Sequence, residues 1–240
     1  MEFFLPTELL IIIFNILGKD YYFNISMVCR RWRNIINILK KNNQMKTPAR
    51  IISQSISLIK WGRANGCPQS IDISNHAATN GNLEVLQWTY HNNYKFNELT
   101  CLYAASNGQL EVLKWLREKE CPWDERTCNK ASENGHLEVL KWVRSQNPPC
   151  PWNIHTCYLA TENGHLEVLK WVRSQNPPCP WNIHTCYLAT ENGHLEVFKW
   201  LRSQIPPCPM DDSVVYVAIN NNHNNITEWL KSENHKWYSN

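Results

Sequence analysis

Seven tryptophans recur along the chain at positions 61, 88, 115, 142, 171, 200 and 229, spaced 27, 27, 27, 29, 29 and 29 residues apart. A fixed period of this length constrains the fold strongly. Each copy must be one supersecondary unit that buries its apolar face on its neighbours. The surrounding text repeats as well: Asn80-Gly81-Asn82-Leu83-Glu84-Val85-Leu86-Gln87-Trp88 returns at 107–115, 134–142, 163–171 and 192–200, with fainter copies at 56–61 and 226–229. Residues 133–168 and 162–197 are identical, which points to recent duplication.

Each copy reads as two short helices. Leu166, Leu169 and Val172 form one apolar line on a stretch of strong helix formers, and Val168 with Trp171 forms a second. Two apolar lines on one helix imply contact on two sides, as stacked units require. On this reading Trp142, Trp171 and Trp200 are expected to be largely buried between adjacent units. Upstream, residues 156–163 predict a preceding helix with Thr156 or Asn153 as its N-cap. Gly164 supplies the turn between the two helices. The prolines of Gln175-Asn176-Pro177-Pro178-Cys179-Pro180 then stop the second helix. The 27-residue copies carry the shorter Glu118-Lys119-Glu120-Cys121-Pro122, so the two extra residues of the longer copies fall in this connector.

The string Ala160-Thr161-Glu162-Asn163-Gly164-His165-Leu166-Glu167-Val168-Leu169-Lys170-Trp171 resembles the inner half of the ankyrin repeat, and the resemblance covers residues from about 50 to 230. It implies a protein-binding solenoid with no fixed ligand. The copies are shorter than the ~33 residues of ankyrin units, and the usual turn has become His155-Thr156-Cys157-Tyr158. The β-hairpin fingers are therefore expected to be trimmed to short proline-rich loops.

A different pattern opens the chain. Leu5, Leu9, Ile13 and Leu17, with Leu10 and Phe14 beside them, give a helix with a wide apolar stripe, and Pro6 suits its first turn. Together with Val28-Cys29-Arg30-Arg31-Trp32-Arg33, this resembles the F-box over residues 4–36, although Gly18-Lys19-Asp20-Tyr21-Tyr22 departs from its usual loop. The resemblance implies docking on a Skp-type adaptor of a cullin ubiquitin ligase, with Leu5, Pro6, Leu9, Ile13, Leu17, Val28 and Trp32 forming or supporting the docking face. So short a segment buries too little surface to stand alone and needs a partner or the first repeat.

Charge and cysteine content narrow the remaining classes. Residues 1–50 hold eight Lys/Arg against three Asp/Glu, while residues 51–240 hold sixteen against eighteen. The repeats thus lack the basic footprint of a nucleic-acid binder. The start carries Glu2 and Glu8 and no early basic residue, which does not read as a signal peptide, and no apolar run is long enough to span a membrane. The ten cysteines accordingly read as reduced thiols acting as small buried hydrophobes in an intracellular setting. A zinc reading would recruit Cys157 with His165, or Cys179 with His184. No Cys-x-x-Cys pair exists and every such spacing is inherited from the duplication, so no metal or cofactor is expected. His136, His165 and His194 read as turn-stabilising residues. No phosphate-cradling loop or catalytic motif is present, and cysteines and histidines that come in repeated copies do not read as a catalytic pair.

The expected architecture is all-α: an ankyrin-like helical-hairpin solenoid over residues 46–240, of about six to seven units of 27–29 residues, behind an F-box-like helical segment over 1–45. The expected function is that of a protein–protein interaction adaptor, not an enzyme, with an unknown client protein as its second partner. Trp123, Trp152 and Trp181, which follow Cys-Pro in the connectors, either pack on the next unit or stand out as client anchors. His155 and His184 are the other candidate client contacts. The alternative is a plain interaction scaffold whose N-terminal segment is a degenerate cap. The combination resembles adaptor families encoded by giant DNA viruses of amoebae, which implies a cytoplasmic setting, that of the host cell.

Overall fold

The structure, a computed structural model, describes residues 49–64 and 67–233. The residues expected to form the docking face, Leu5, Pro6, Leu9, Ile13, Leu17, Val28 and Trp32, lie outside them. Among the described residues every regular element is an α-helix and there is no strand, so the expected all-α class and the trimming of the fingers to loops both hold. The chain divides into two compact units at Phe96/Asn97.

The first unit contains α1 (Ala49–Ile52), α2 (Ile56–Ala64), α3 (Ile71–Thr79) and α4 (Leu83–His91). Ser70 caps α3 by accepting from the Asp72 N–H, and Asn82 caps α4 by accepting from Val85. Asn82 also reaches backward, its Nδ2 donating to the Gln54 carbonyl at 3.1 Å.

The second unit is a stack of five hairpins: α5 (Glu98–Ser106) with α6 (Leu110–Glu118), α7 (Glu125–Glu133) with α8 (Leu137–Ser145), and α9 (Ile154–Glu162) with α10 (Leu166–Ser174). The last two are α11 (Ile183–Glu191) with α12 (Leu195–Ser203) and α13 (Ser213–Asn220) with α14 (Asn224–Ser232). The first helix of each hairpin packs on the first helix of the next. Small residues permit this close approach: Ala104, Ala131, Ala160, Ala189 and Ala218 occupy one position of successive copies, and all are fully buried. The aliphatic pairs Val112/Leu113, Val139/Leu140 and Val168/Leu169 close the core from the second helices.

First helices begin alike. Asn97, Asp124, Asn153 and Asn182 each accept the backbone N–H two residues on, satisfying a donor that the first turn leaves orphaned. Of the two N-caps expected for α9, Asn153 is the one used. The turn to the second helix passes through Gly108, Gly135, Gly164 and Gly193, all at φ between +68° and +73°. Only glycine adopts that region without strain.

One packing expectation needs correction. Trp142, Trp171 and Trp200 are half-buried, not sealed between units, whereas Trp115 is buried. Each is the sixth residue of its nine-residue helix and meets the tryptophan of the preceding connector. The aliphatic residues two and three positions before them fill the core instead.

Candidate client-binding surface

Two rows of side chains run across the hairpins of the second unit, one along the first helices and one along the second. On the first helices His155 and His184 are exposed, and Tyr158 lies between them. Its ring meets His155 edge-on with centroids 5.7 Å apart and His184 at 6.4 Å. The Tyr158 hydroxyl donates to Asn182 Oδ1 at 2.7 Å, which ties the aromatic to the cap of the next hairpin. Tyr187 and Tyr216 occupy the equivalent position in the following copies, and Tyr216 is 67% exposed. Histidine was legible as a candidate; the tyrosine row was not singled out, although its 29-residue spacing is visible in the sequence.

On the second helices the connector tryptophans are sandwiched. Trp123, Trp152 and Trp181 are half-buried, and each lies under an arginine from the helix it follows. The guanidinium carbons of Arg117, Arg144 and Arg173 stand 4.1, 4.0 and 3.8 Å from the respective ring centroids. On the other side each ring meets Trp142, Trp171 or Trp200 of the next hairpin in a T-shaped pair at 6.1–6.2 Å. Of the two readings for these tryptophans, packing on the next unit is what the structure has, with part of each ring left at the surface. The arginines are pinned a second time, donating to the carbonyls of Cys121, Cys150 and Cys179 at 2.9, 2.6 and 2.6 Å. Arg202 bonds Cys208 in the same way.

The glycine-turn histidines act between copies. His165 Nε2 donates to the Glu133 carbonyl at the end of the preceding first helix (2.9 Å), and His136, His194 and His223 do the same to Ser106, Glu162 and Glu191. The expected stabilisation is therefore real but links neighbouring hairpins. A Cβ on Gly135 would lie 2.8 Å from the His165 ring, and one on Gly164 2.8 Å from His194. Each glycine is thus required by its own φ and by the next copy's imidazole.

Nine cysteines fall among the described residues, all unbridged, and all but Cys67 buried. The close partner of each helix cysteine is not the one seven residues before it. Cys157 Sγ donates to the Cys179 carbonyl at 3.7 Å, and Cys179 Sγ to the Asn153 carbonyl at 3.4 Å. The pairs Cys101/Cys121, Cys128/Cys150 and Cys186/Cys208 repeat the pattern. The hydrogen bond to the partner cysteine, with burial behind it, pushes the Cys101, Cys128, Cys157 and Cys186 thiols far above their ordinary range. A thiol so held is a poor nucleophile. Among the described residues no three His, Cys, Asp or Glu side chains converge as metal ligands, and no helix is long and apolar enough to cross a membrane.

Stacked hairpins of two short helices each define the class of the described residues: a helical-repeat protein. Family models match two stretches of the chain. The family model of the F-box domain matches residues 4–44, and that of ankyrin repeats (many copies) matches residues 75–117. No curated protein matches the chain. F-box and ankyrin domains are non-catalytic interaction domains, and the two in one chain make up a protein-interaction adaptor.

Proposed function

We propose that the chain recruits a client protein to a ubiquitin ligase. Residues 1–45 dock on the Skp-type adaptor of a cullin ligase, with Leu5, Pro6, Leu9, Ile13, Leu17, Val28 and Trp32 on or behind the docking face. Residues 46–240 hold the client. The observation that carries this reading is the F-box match at residues 4–44 ahead of a stacked array with aromatic and basic rows at its surface. Trp123, Trp152, Trp181, His155 and His184 are the client contacts we assign. The setting is cytoplasmic, the host's if the resemblance to viral adaptors extends to origin.

The test is capture of a Skp-type adaptor by the purified full chain. Leu5→Ala with Pro6→Ala, or removal of residues 1–45, is expected to abolish capture while the far-ultraviolet circular dichroism of the repeats persists. A wild-type chain that captures no adaptor overturns the reading and leaves a plain scaffold with an N-terminal cap.

A further inference from the structure

The row along the second helices carries fixed positive charge that no carboxylate among the described residues pairs with. Lys114, Lys141, Lys170 and Lys199 each pair with a glutamate three residues earlier, at 2.6–3.0 Å. Arg117, Arg144, Arg173 and Arg202, one helical turn further on, form no ion pair among the described residues. The first three are held by a tryptophan face, and all four by a connector carbonyl, so each presents its remaining N–H groups in a preset orientation. The Nε groups of Arg173 and Arg202 are buried without an acceptor, and a nearby anion would offset that electrostatic cost. Beside Arg173 lies a cleft of about 250 Å³, with Lys170 next to the arginine, Trp181 and Trp200 as its aromatic walls and Gln204 and Ile205 at its rim.

Spacing selects the shape of the occupant. The first helices pack on one another, which sets the hairpin repeat at ~8–10 Å, and the arginines, one per hairpin, recur on the order of that interval. A polyproline-II segment repeats every three residues, at ~3.1 Å per residue, or ~9.3 Å per turn. Side chains three apart then lie on one face in step with the hairpins. A β-strand alternates faces and sends residues three apart to opposite sides. An α-helix, ~10–12 Å across, is as wide as the hairpin spacing and does not enter the cleft. Aromatic-walled grooves are also the surfaces on which polyproline-II ligands dock.

We propose that this row binds an acidic, proline-rich segment of a partner protein in the polyproline-II conformation. One carboxylate per turn sits on Arg144, Arg173 and Arg202, with prolines against the tryptophan edges. The proposal rests on the client-holding reading above and names the surface and the partner's chemistry. A nucleic acid fits less well: Glu111, Glu138, Glu167 and Glu196 stand beside the row with side chains 74–76% exposed. A phosphate chain, charged at every residue, cannot avoid them, whereas a carboxylate placed every third residue can.

The experiment is fluorescence polarisation of the full chain with a labelled peptide of four Glu-Pro-Pro triplets. The comparison probes are a peptide of the same composition with its four glutamates in one block, and a single-stranded DNA of twelve nucleotides. The triplet peptide is expected to bind, more weakly as salt rises, and about tenfold more tightly than the block peptide, since misplaced charges lose the complementarity. Arg173→Gln with Arg202→Gln is expected to weaken it about tenfold. Should that variant unfold, Arg173→Lys with Arg202→Lys retains charge and fold, loses the planar fork and still weakens binding. Arg126→Gln, on a first helix, leaves binding unchanged. Equal binding of the two peptides, tighter binding of the DNA, or no binding of the triplet peptide at millimolar concentration overturns the proposal. Adaptor capture measured on the same preparations separates the two readings. Capture without peptide binding removes only this surface, and peptide binding without capture removes only the ligase link.

Discussion

After α6 the chain turns through Lys119 and Glu120, with Glu120 at φ +56°, and the Cys121 N–H returns to the Leu116 carbonyl at 2.9 Å. After α8, Gln146 is already extended (φ −76°, ψ 163°). The chain then crosses Asn147-Pro148-Pro149 before the Cys150 N–H returns to Val143, also at 2.9 Å. Leu116 and Val143 are the same position of successive copies, as are Cys121 and Cys150. Two connectors of different length and backbone therefore end at one anchor, where a backbone hydrogen bond, a cysteine thiol and an arginine-to-carbonyl bond converge. The comparison teaches that register is set by the anchor and the stacked first helices, while the loop ahead of the anchor is free to vary. Ile205, 99% exposed where the earlier long connectors have Asn147 and Asn176, is one such variation.

If that separation is right, substitutions at the turn glycines should be blind to connector length. Gly108→Ala, ahead of a short connector, and Gly164→Ala, ahead of a long one, are each expected to cost about 3 kcal/mol from the left-handed φ and the blocked imidazole. Chemical denaturation measures both, and costs differing by more than about 1 kcal/mol would tie the lock to the loop. Removing the clash with His194→Ala should return part of the Gly164→Ala loss. Next in size, Trp123→Ala and Trp152→Ala are expected to cost about 2 kcal/mol each, below the ~3–5 of a fully buried tryptophan because these rings are half-exposed. A negligible loss at either would show that the arginine and tryptophan neighbours do not secure the anchor.

Grafting is the sharpest test. Replacing the five residues 174–178 by Glu-Lys-Glu, the three residues 118–120 of the short connector, is expected to change stability by less than about 1 kcal/mol. Collapse of the hairpin would mean that the loop itself sets register. The smallest effect separates the backbones by sign. Glu120→Gly should stabilise by about 0.5–1 kcal/mol, since a non-glycine residue there holds φ +56°. Asn147→Gly should do the opposite, because the long connector has no left-handed residue and glycine only loosens the unfolded chain. Thermal unfolding of the two variants decides it.

The sequence carried the hairpins well because their signals are local: a cap, a glycine and a nine-residue apolar pattern lie within one copy. Contacts between copies were harder to read. His165 bonds a carbonyl 32 residues earlier, and Cys157 meets the carbonyl of the cysteine 22 residues later, not the thiol seven residues before it. The histidine's distance exceeds one copy of 27–29 residues, and the cysteine's spans most of one, from the first helix to the connector after the second. The half-exposure of Trp171 was missed for a related reason: large apolar residues on a short helix were assigned to its core, while its ring meets a connector tryptophan belonging to the boundary between copies. The pairing had a visible trace, since an arginine precedes, and Cys-Pro-Trp follows, the connectors at 117–123, 144–152 and 173–181. Which of these surfaces would face a partner had no such trace, because exposure of a repeated residue depends on the stack and not on its own copy.

The fit between a turn glycine and the next copy's histidine also bears on how such a chain can change over time. Glycine and histidine both belong to the same short text, and each copy offers one half of a joint forward and the other half backward. Duplicating one whole copy inside the array therefore adds a complete joint and breaks none. The identity of residues 133–168 with 162–197 is what such an event leaves behind. Reach across a partner can then lengthen or shorten by one hairpin at a time in a single genetic step, with no second substitution needed to restore the seam.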